Sequence, residues 1–139
     1  MKTLVIDTSV IVKWINTHKE KDTEKADKIL NEVKNGQVEL LAPELAKYEL
    51  GNVLLKGKQL IPSEAYISLG TVYSLPITFV AESEEMSKDT YHLAFNNGIT
   101  YYDASFMSLA KQYNATLITD NVKHQGKSGN ITVKPLSEY

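Results

Sequence analysis

The sequence predicts an α/β fold, a three-layer α/β/α sandwich around a mostly parallel central sheet of four to five strands. Three observations predict it. Short, continuous, β-branched runs recur along the chain, TLVI (3–6), VELLA (38–42), ITFVA (77–81) and ATLITD (115–120), and such runs read as strands. Segments with apolar residues at helical spacing lie between them, so successive strands need crossover connections and pair in parallel. The runs are apolar at consecutive positions, as in strands covered on both faces.

Each element has its own justification. After TLVI, the pattern VIVKWI from Ser9 predicts a first helix that fades into the charged stretch THKEKD (17–22). Asp22 or Thr23 caps a second helix, TEKADKILNEVKN, in which Ala26, Ile29, Leu30 and Val33 share a face. Gly36 ends it. VELLA follows as the second strand, and Pro43 suits the first turn of a third helix, PELAKYELGNVLLK. Pro62, Ser63 and Glu64 begin a fourth helix that stops near Ser74, before Pro76. ITFVA is the third strand. Ser83, with Glu84 and Glu85 in the first turn, opens a fifth helix that ends at Asn97-Gly98. ITYYDASFMSLAKQYN starts extended and becomes a sixth helix, ATLITD is the fourth strand, and ITV (131–133) is a possible fifth.

The 139 residues suit one domain, 1–139, without repeat, low-complexity tract or linker. There is no cysteine, which excludes disulfides, thiolate catalysis and cysteine zinc sites and fits a cytoplasmic protein. No apolar run approaches the roughly 20 residues of a membrane helix. The net charge is −2, and all 15 basic residues are lysine. Any phosphate contact must therefore use point charges, backbone amides or a metal rather than the guanidinium fork.

Four acids stand apart. Asp7 ends the first strand and Asp120 the fourth, at the edge where parallel sheets place their ligands. Glu49 is mid-helix, inside the arc of Leu45, Ala46, Leu50, Val53 and Leu54. Asp103 falls inside the arc of Phe106, Met107, Leu109, Ala110 and Tyr113. Each has an ordinary alternative except Glu49: Asp7, Thr8 or Ser9 can cap a helix, Asp103 can complement a helix dipole, and Asp120-Asn121 can form a turn. A mid-helix acid on an apolar face has no such role and costs free energy if unpaired. Two carboxylates about 4 Å apart repel by ~4 kcal/mol at an effective dielectric of 20, so a convergent group protonates in part or takes up a cation. His18, His92 and His124 are not in metal-ligand spacing. The ligands on offer are oxygens, which select Mg²⁺ or Mn²⁺.

These motifs resemble a PIN-domain ribonuclease, and within that family a VapC-type toxin of a toxin–antitoxin pair. VIDTSV (5–10) resembles the family's opening strand-Asp-Thr/Ser segment and YELGNVL (48–54) its helix with Glu and, three residues later, Asn. YYDASFMSLA (101–110) resembles its Tyr-Asp-Ala helix start and LITDN (117–121) its Thr-Asp strand end. The resemblance spans nearly the whole chain. It implies metal-dependent endonucleolytic cleavage of RNA, a homodimer, and inhibition by a cognate VapB-like antitoxin that fills the acidic groove. By motif position it implies Asp7, Glu49, Asp103 and Asp120 as the catalytic and metal-binding acids, with Thr8, Ser9 and Asn52 supporting them or contacting substrate.

Other functions stay in view. A PIN-domain nuclease of RNA processing or decay and a non-catalytic binding module share the fold. A HAD-type phosphatase needs a second Asp where Ser9 stands, and a receiver domain needs an Asp where ITFVAES offers only Glu82. Lys13, Lys123 and Lys127 are candidates to track a phosphate backbone, set against an ordinary solvated-surface role. Trp14, Tyr101 and Tyr102 are candidates for base stacking, with core or interface packing favoured for each.

Overall fold

A computed structural model describes residues 1–122 and 130–139. Its centre is a five-stranded, all-parallel sheet in the order β3-β2-β1-β4-β5, built from β1 (Lys2–Ile6), β2 (Val38–Pro43), β3 (Ile77–Val80), β4 (Thr116–Thr119) and β5 (Val133–Pro135). Six helices flank it among the described residues: α1 (Thr8–Ile15), α2 (Thr23–Lys34), α3 (Leu45–Asn52), α4 (Pro62–Ser74), α5 (Glu84–Asn97) and α6 (Tyr101–Gln112). The α/β/α sandwich expected from the sequence is the observed fold.

Burial explains the strand order. Leu4, Val5 and Ile6 of β1 and Leu117 and Ile118 of β4 are fully buried, as strands covered on both faces must be. β3 and β5 are edges and are only partly buried. Pro135, which has no N–H to donate, lies in β5, where the outer side needs no ladder bond. The chain builds β1, β2 and β3 outward on one side, then returns to place β4 and β5 on the other. The switch point is therefore the gap between β1 and β4, where Asp7 and Asp120 emerge.

α2 packs on α1 and β2, whereas α6 spans β1, β2 and β4 and carries α5 outside it. Phe106, Met107, Leu109 and Ala110 of α6 are buried, as the helical spacing predicts, whereas Tyr113, placed on the same arc, lies just past the helix end and is exposed. Ser83 caps α5 by accepting from the Met86 N–H at 3.1 Å. Gly98 ends that helix at φ +62°, a conformation that suits a residue without Cβ.

The departures are local. Pro43 does not begin α3; it is the last residue of β2, paired with Val80, so the helix starts two residues later. Asp22 occupies the cap position of α2 in a left-handed conformation and offers its backbone carbonyl, not its side chain. The third helix widens after Asn52 into a π turn, Val53–Gly57, closed by Lys58 N–H donating to the Val53 carbonyl at 2.8 Å. The fifth strand is displaced two residues from ITV, to Val133–Pro135.

Candidate active site

The site begins where β1 stops. The Asp7 N–H donates to the Ile118 carbonyl at 3.0 Å, so the residue still belongs to the ladder with β4 while its side chain faces the sheet edge. Its Oδ2 accepts from the Ser9 N–H at 3.1 Å, the Ser9 hydroxyl at 2.6 Å and the Thr119 hydroxyl at 3.2 Å. Asp7 is thus the N-cap of α1, and the same bonds fix the orientation of its carboxylate. The residue is only 8 % exposed. Cap and site residue are one structure here, since the cap geometry holds the acid at the switch point.

α3 and α6 bring the next two acids. A groove of about 580 Å³ is lined by Asp7, Thr8 and Ser9 from the end of β1 and the start of α1, by Tyr48, Glu49 and Asn52 from α3, and by Tyr102 and Asp103 from α6. Glu49 is half-buried and accepts from the Thr8 hydroxyl at 2.6 Å. Burial pushes its carboxyl above the usual range; the Thr8 hydroxyl opposes this, and the charges of Asp7 and Asp103 add to it. Glu49 therefore senses both of the other acids across the groove. Asp103 lies in the first turn of α6, whose cap is the Thr100 hydroxyl accepting from the Asp103 N–H at 3.0 Å.

Asp120 goes elsewhere. It ends β4 beside Asp7, and its N–H donates to the Ser9 hydroxyl at 3.0 Å, but its carboxylate pairs with Lys13 Nζ at 2.8 Å. It does not line the acidic groove. Lys13 also meets Glu20 at 3.1 Å and donates to the Lys21 carbonyl at 2.7 Å. Glu20 in turn holds Lys58 at 2.7 Å. Burial alone lowers the Lys13 ammonium, but the bonds to Asp120 and Glu20 outweigh it and leave the pKa raised. Of the seven site residues the sequence singles out, six line the groove and Asp120 stands behind it.

Sequence reasoning missed one participant and misplaced another. Thr119, fully buried, donates to Asp7 and accepts from the Asn121 N–H at 2.9 Å; only its position in LITDN hinted at this. Lys13 is 3 % exposed, so it is neither a phosphate-tracking nor a solvated lysine. The signal was available: a single lysine between VIV and WI has no polar face to occupy. Lys123 and Lys127 lie outside the described residues. Trp14 packs against the core and donates to the Ala26 carbonyl at 2.9 Å, whereas Tyr102 is 59 % exposed at the groove.

The donor set suits a hydrated ion better than a caged one. Among the described residues no three Asp, Glu or His side chains converge tightly enough to hold one as a protein cage. Mg²⁺ seldom uses such a cage; it keeps waters and takes one or two carboxylates. Oxygen-only donors, one of them raised by burial and then by its acidic neighbours, fit that mode.

Fold and groove together define the class: a parallel α/β/α domain with oxygen donors gathered beyond its switch point. Residues 4–127 match the family model described as PIN domain, and the chain belongs to the PIN domain family, a family of nucleases that generally use divalent metal ions. No curated protein matches. Solved structures of similar fold include VapBC2 from Rickettsia felis, bound to a DNA fragment from its promoter (19% identity, 96% of this chain and 98% of that one, TM-score 0.71). DNA-bound VapBC from Salmonella typhimurium is similar over 98% of this chain and 99% of that one, at 13% identity and TM-score 0.69. VapC20 of Mycobacterium tuberculosis, a Sarcin-Ricin loop cleaving toxin, is similar over 82% of this chain and 86% of that one, at 9% identity and TM-score 0.64. No helix among the described residues is long and apolar enough to cross a membrane.

Proposed function

We propose that the chain is a metal-dependent endoribonuclease, the VapC-type toxin of a cytoplasmic toxin–antitoxin pair. The observation that carries the reading is the gathering of Asp7, Glu49 and Asp103, from three different elements, on one groove, where burial and then the two aspartates raise the Glu49 carboxyl. Asp7 and Asp103 would hold Mg²⁺ or Mn²⁺, with Glu49 completing the site and Asp120 supporting it from behind. A bound divalent ion supplies a Lewis acid that acidifies water and offsets phosphoryl charge. The chain's own residues do the rest. Ser9 and Thr119 keep the Asp7 carboxylate oriented, Thr8 positions Glu49, and Asn52 offers an amide to the RNA strand. Cleavage would leave a 5′-phosphate and a 3′-hydroxyl.

The direct test is RNA cleavage with Mg²⁺ or Mn²⁺ by the wild type, Asp7→Asn and Asp103→Asn. A loss of at least about 100-fold is expected for each variant. Equal cleavage by all three would sink the assignment.

The toxin role and its partners rest on the fold shared with VapBC complexes and on exposed apolar side chains. Tyr66, Ile67 and Tyr73 on α4 and Tyr91 and Phe95 on α5 are all at least 66 % exposed, more than isolated surface residues require. A homodimer and a VapB-like antitoxin would cover such faces. Growth arrest on expression, relieved by co-expression of a neighbouring small reading frame, separates a toxin from a nuclease of RNA processing.

A further inference from the structure

A second cavity, of about 170 Å³, opens beside the acidic groove and shares Leu45 and Tyr102 with it. It lies beyond the ends of β2 and β3, and its walls are largely apolar: Pro43, Leu45, Val80 and Met86. Two acids border it. Glu44 is matched by Lys47 at 2.8 Å. Glu82 instead accepts the phenol of Tyr101 on Oε1. The Ser105 hydroxyl at the cavity wall is turned to the Tyr102 carbonyl at 2.6 Å. What the cavity presents to a ligand is thus apolar walls, one exposed aromatic ring and an acceptor-only carboxylate.

We propose that this cavity is a base subsite that takes an unpaired guanine adjoining the phosphate in the acidic groove, with Tyr102 as its stacking partner and Glu82 as its reader. The inference rests on the nuclease reading for the presence of an RNA strand in the groove. Continuity decides the class of occupant, because a strand whose phosphate faces Asp7 and Asp103 places its next base against the shared Tyr102 wall. Stacking on an exposed aromatic ring is the general way proteins hold unpaired bases. Glu82 decides the base. A carboxylate needs adjacent N–H donors, and guanine's Watson–Crick edge offers two, N1–H and N2–H. Adenine and cytosine offer one amino group beside an acceptor nitrogen, which would face the carboxylate lone pairs. Uracil offers one N–H between two carbonyls.

The test uses the full chain without metal, titrated with 5′-GMP, AMP, CMP and UMP while backbone amide resonances are followed. GMP is expected to shift Leu45, Met86 and Ser105 and to bind about tenfold more tightly than the other three. Glu82→Gln, an exposed and nearly isosteric change, is expected to erase that preference. Equal binding of all four nucleotides, a preference that survives Glu82→Gln, or shifts confined to other residues would overturn the proposal. Stronger shifts of the same amides with N-acetyl-leucinamide than with GMP would assign the cavity to a protein partner, and overturn it too. Nucleotide binding needs no catalysis, so failure here is distinguishable from failure to cleave RNA.

Discussion

Two groups of acids stand at the same edge of the sheet, and the fold treats them in opposite ways. Behind the groove, Asp120 and Glu20 each meet the buried Lys13, and Glu20 also meets Lys58. In the groove, Glu49 meets a neutral hydroxyl and the like charges of Asp7 and Asp103. The first arrangement matches charge with charge and holds the 16–22 segment against α1. The second costs stability wherever Glu49 is ionised, because burial and the two aspartates disfavour its charged form. The fold thus compensates the first group with lysines and leaves the acids of the second facing one another. Ser9 joins the two, since its hydroxyl donates to Asp7 and accepts from the Asp120 N–H.

Removing Lys13 is the strongest way to break the contrast. Lys13→Met leaves Asp120 and Glu20 without their buried cation, although Asp120 keeps access to water with its side chain 26 % exposed. A loss of about 2 kcal/mol in denaturant unfolding is expected, and a Tm lower by roughly 5–10 °C. An unchanged Tm would make the Lys13 network ornamental and the contrast void. Ser9→Ala cuts the link between the two groups. It removes one donor from Asp7 and the acceptor of the Asp120 N–H, for an expected loss of about 1 kcal/mol.

Glu49→Gln sharpens the other half, with opposite sign. The folded carboxyl lies above its unfolded value, so its contribution is fully present below the unfolded pKa and is lost as pH rises through the folded one. The glutamine keeps a carbonyl for Thr8 and carries no charge. Its Tm is therefore expected to exceed that of the wild type above the folded pKa and to converge with it in acid. Thermal melts across pH 3–8 read this directly, and a gap that widened in acid would reverse the argument. The smallest effect belongs to a surface control. Lys88 and Glu84 pair at 3.0 Å but are 74 % and 85 % exposed, and Lys88→Ala is expected to change stability by less than about 0.5 kcal/mol. A larger value would show that pairing alone, without burial, carries the Lys13 result.

Much of the molecule was legible in the chain. Continuous β-branched runs mark strands covered on both faces, and β1 is buried from Leu4 to Ile6 and β4 from Leu117 to Thr119. Glu49 was legible because an acid on an apolar arc has no local use, and it faces the groove. Boundaries were less legible where two local preferences compete. Pro43 suits a helix start, yet it extends β2 because pairing with Val80 continues the ladder. The π turn after Asn52 left no trace in periodicity, since five residues cannot separate it from an α-helix.

The sequence by itself determined the α/β architecture and the supply of carboxylates, because both follow from periodicity and residue type. Only the tertiary structure decided how the acids divide. Asp7 and Asp120 look alike in the chain, each closing an apolar strand. What separates them is a lysine that α1 carries under the end of β4, 107 positions from Asp120 in sequence and 2.8 Å from it in space. Electrostatic energy depends on that distance and on the burial around it, and neither is written in local sequence.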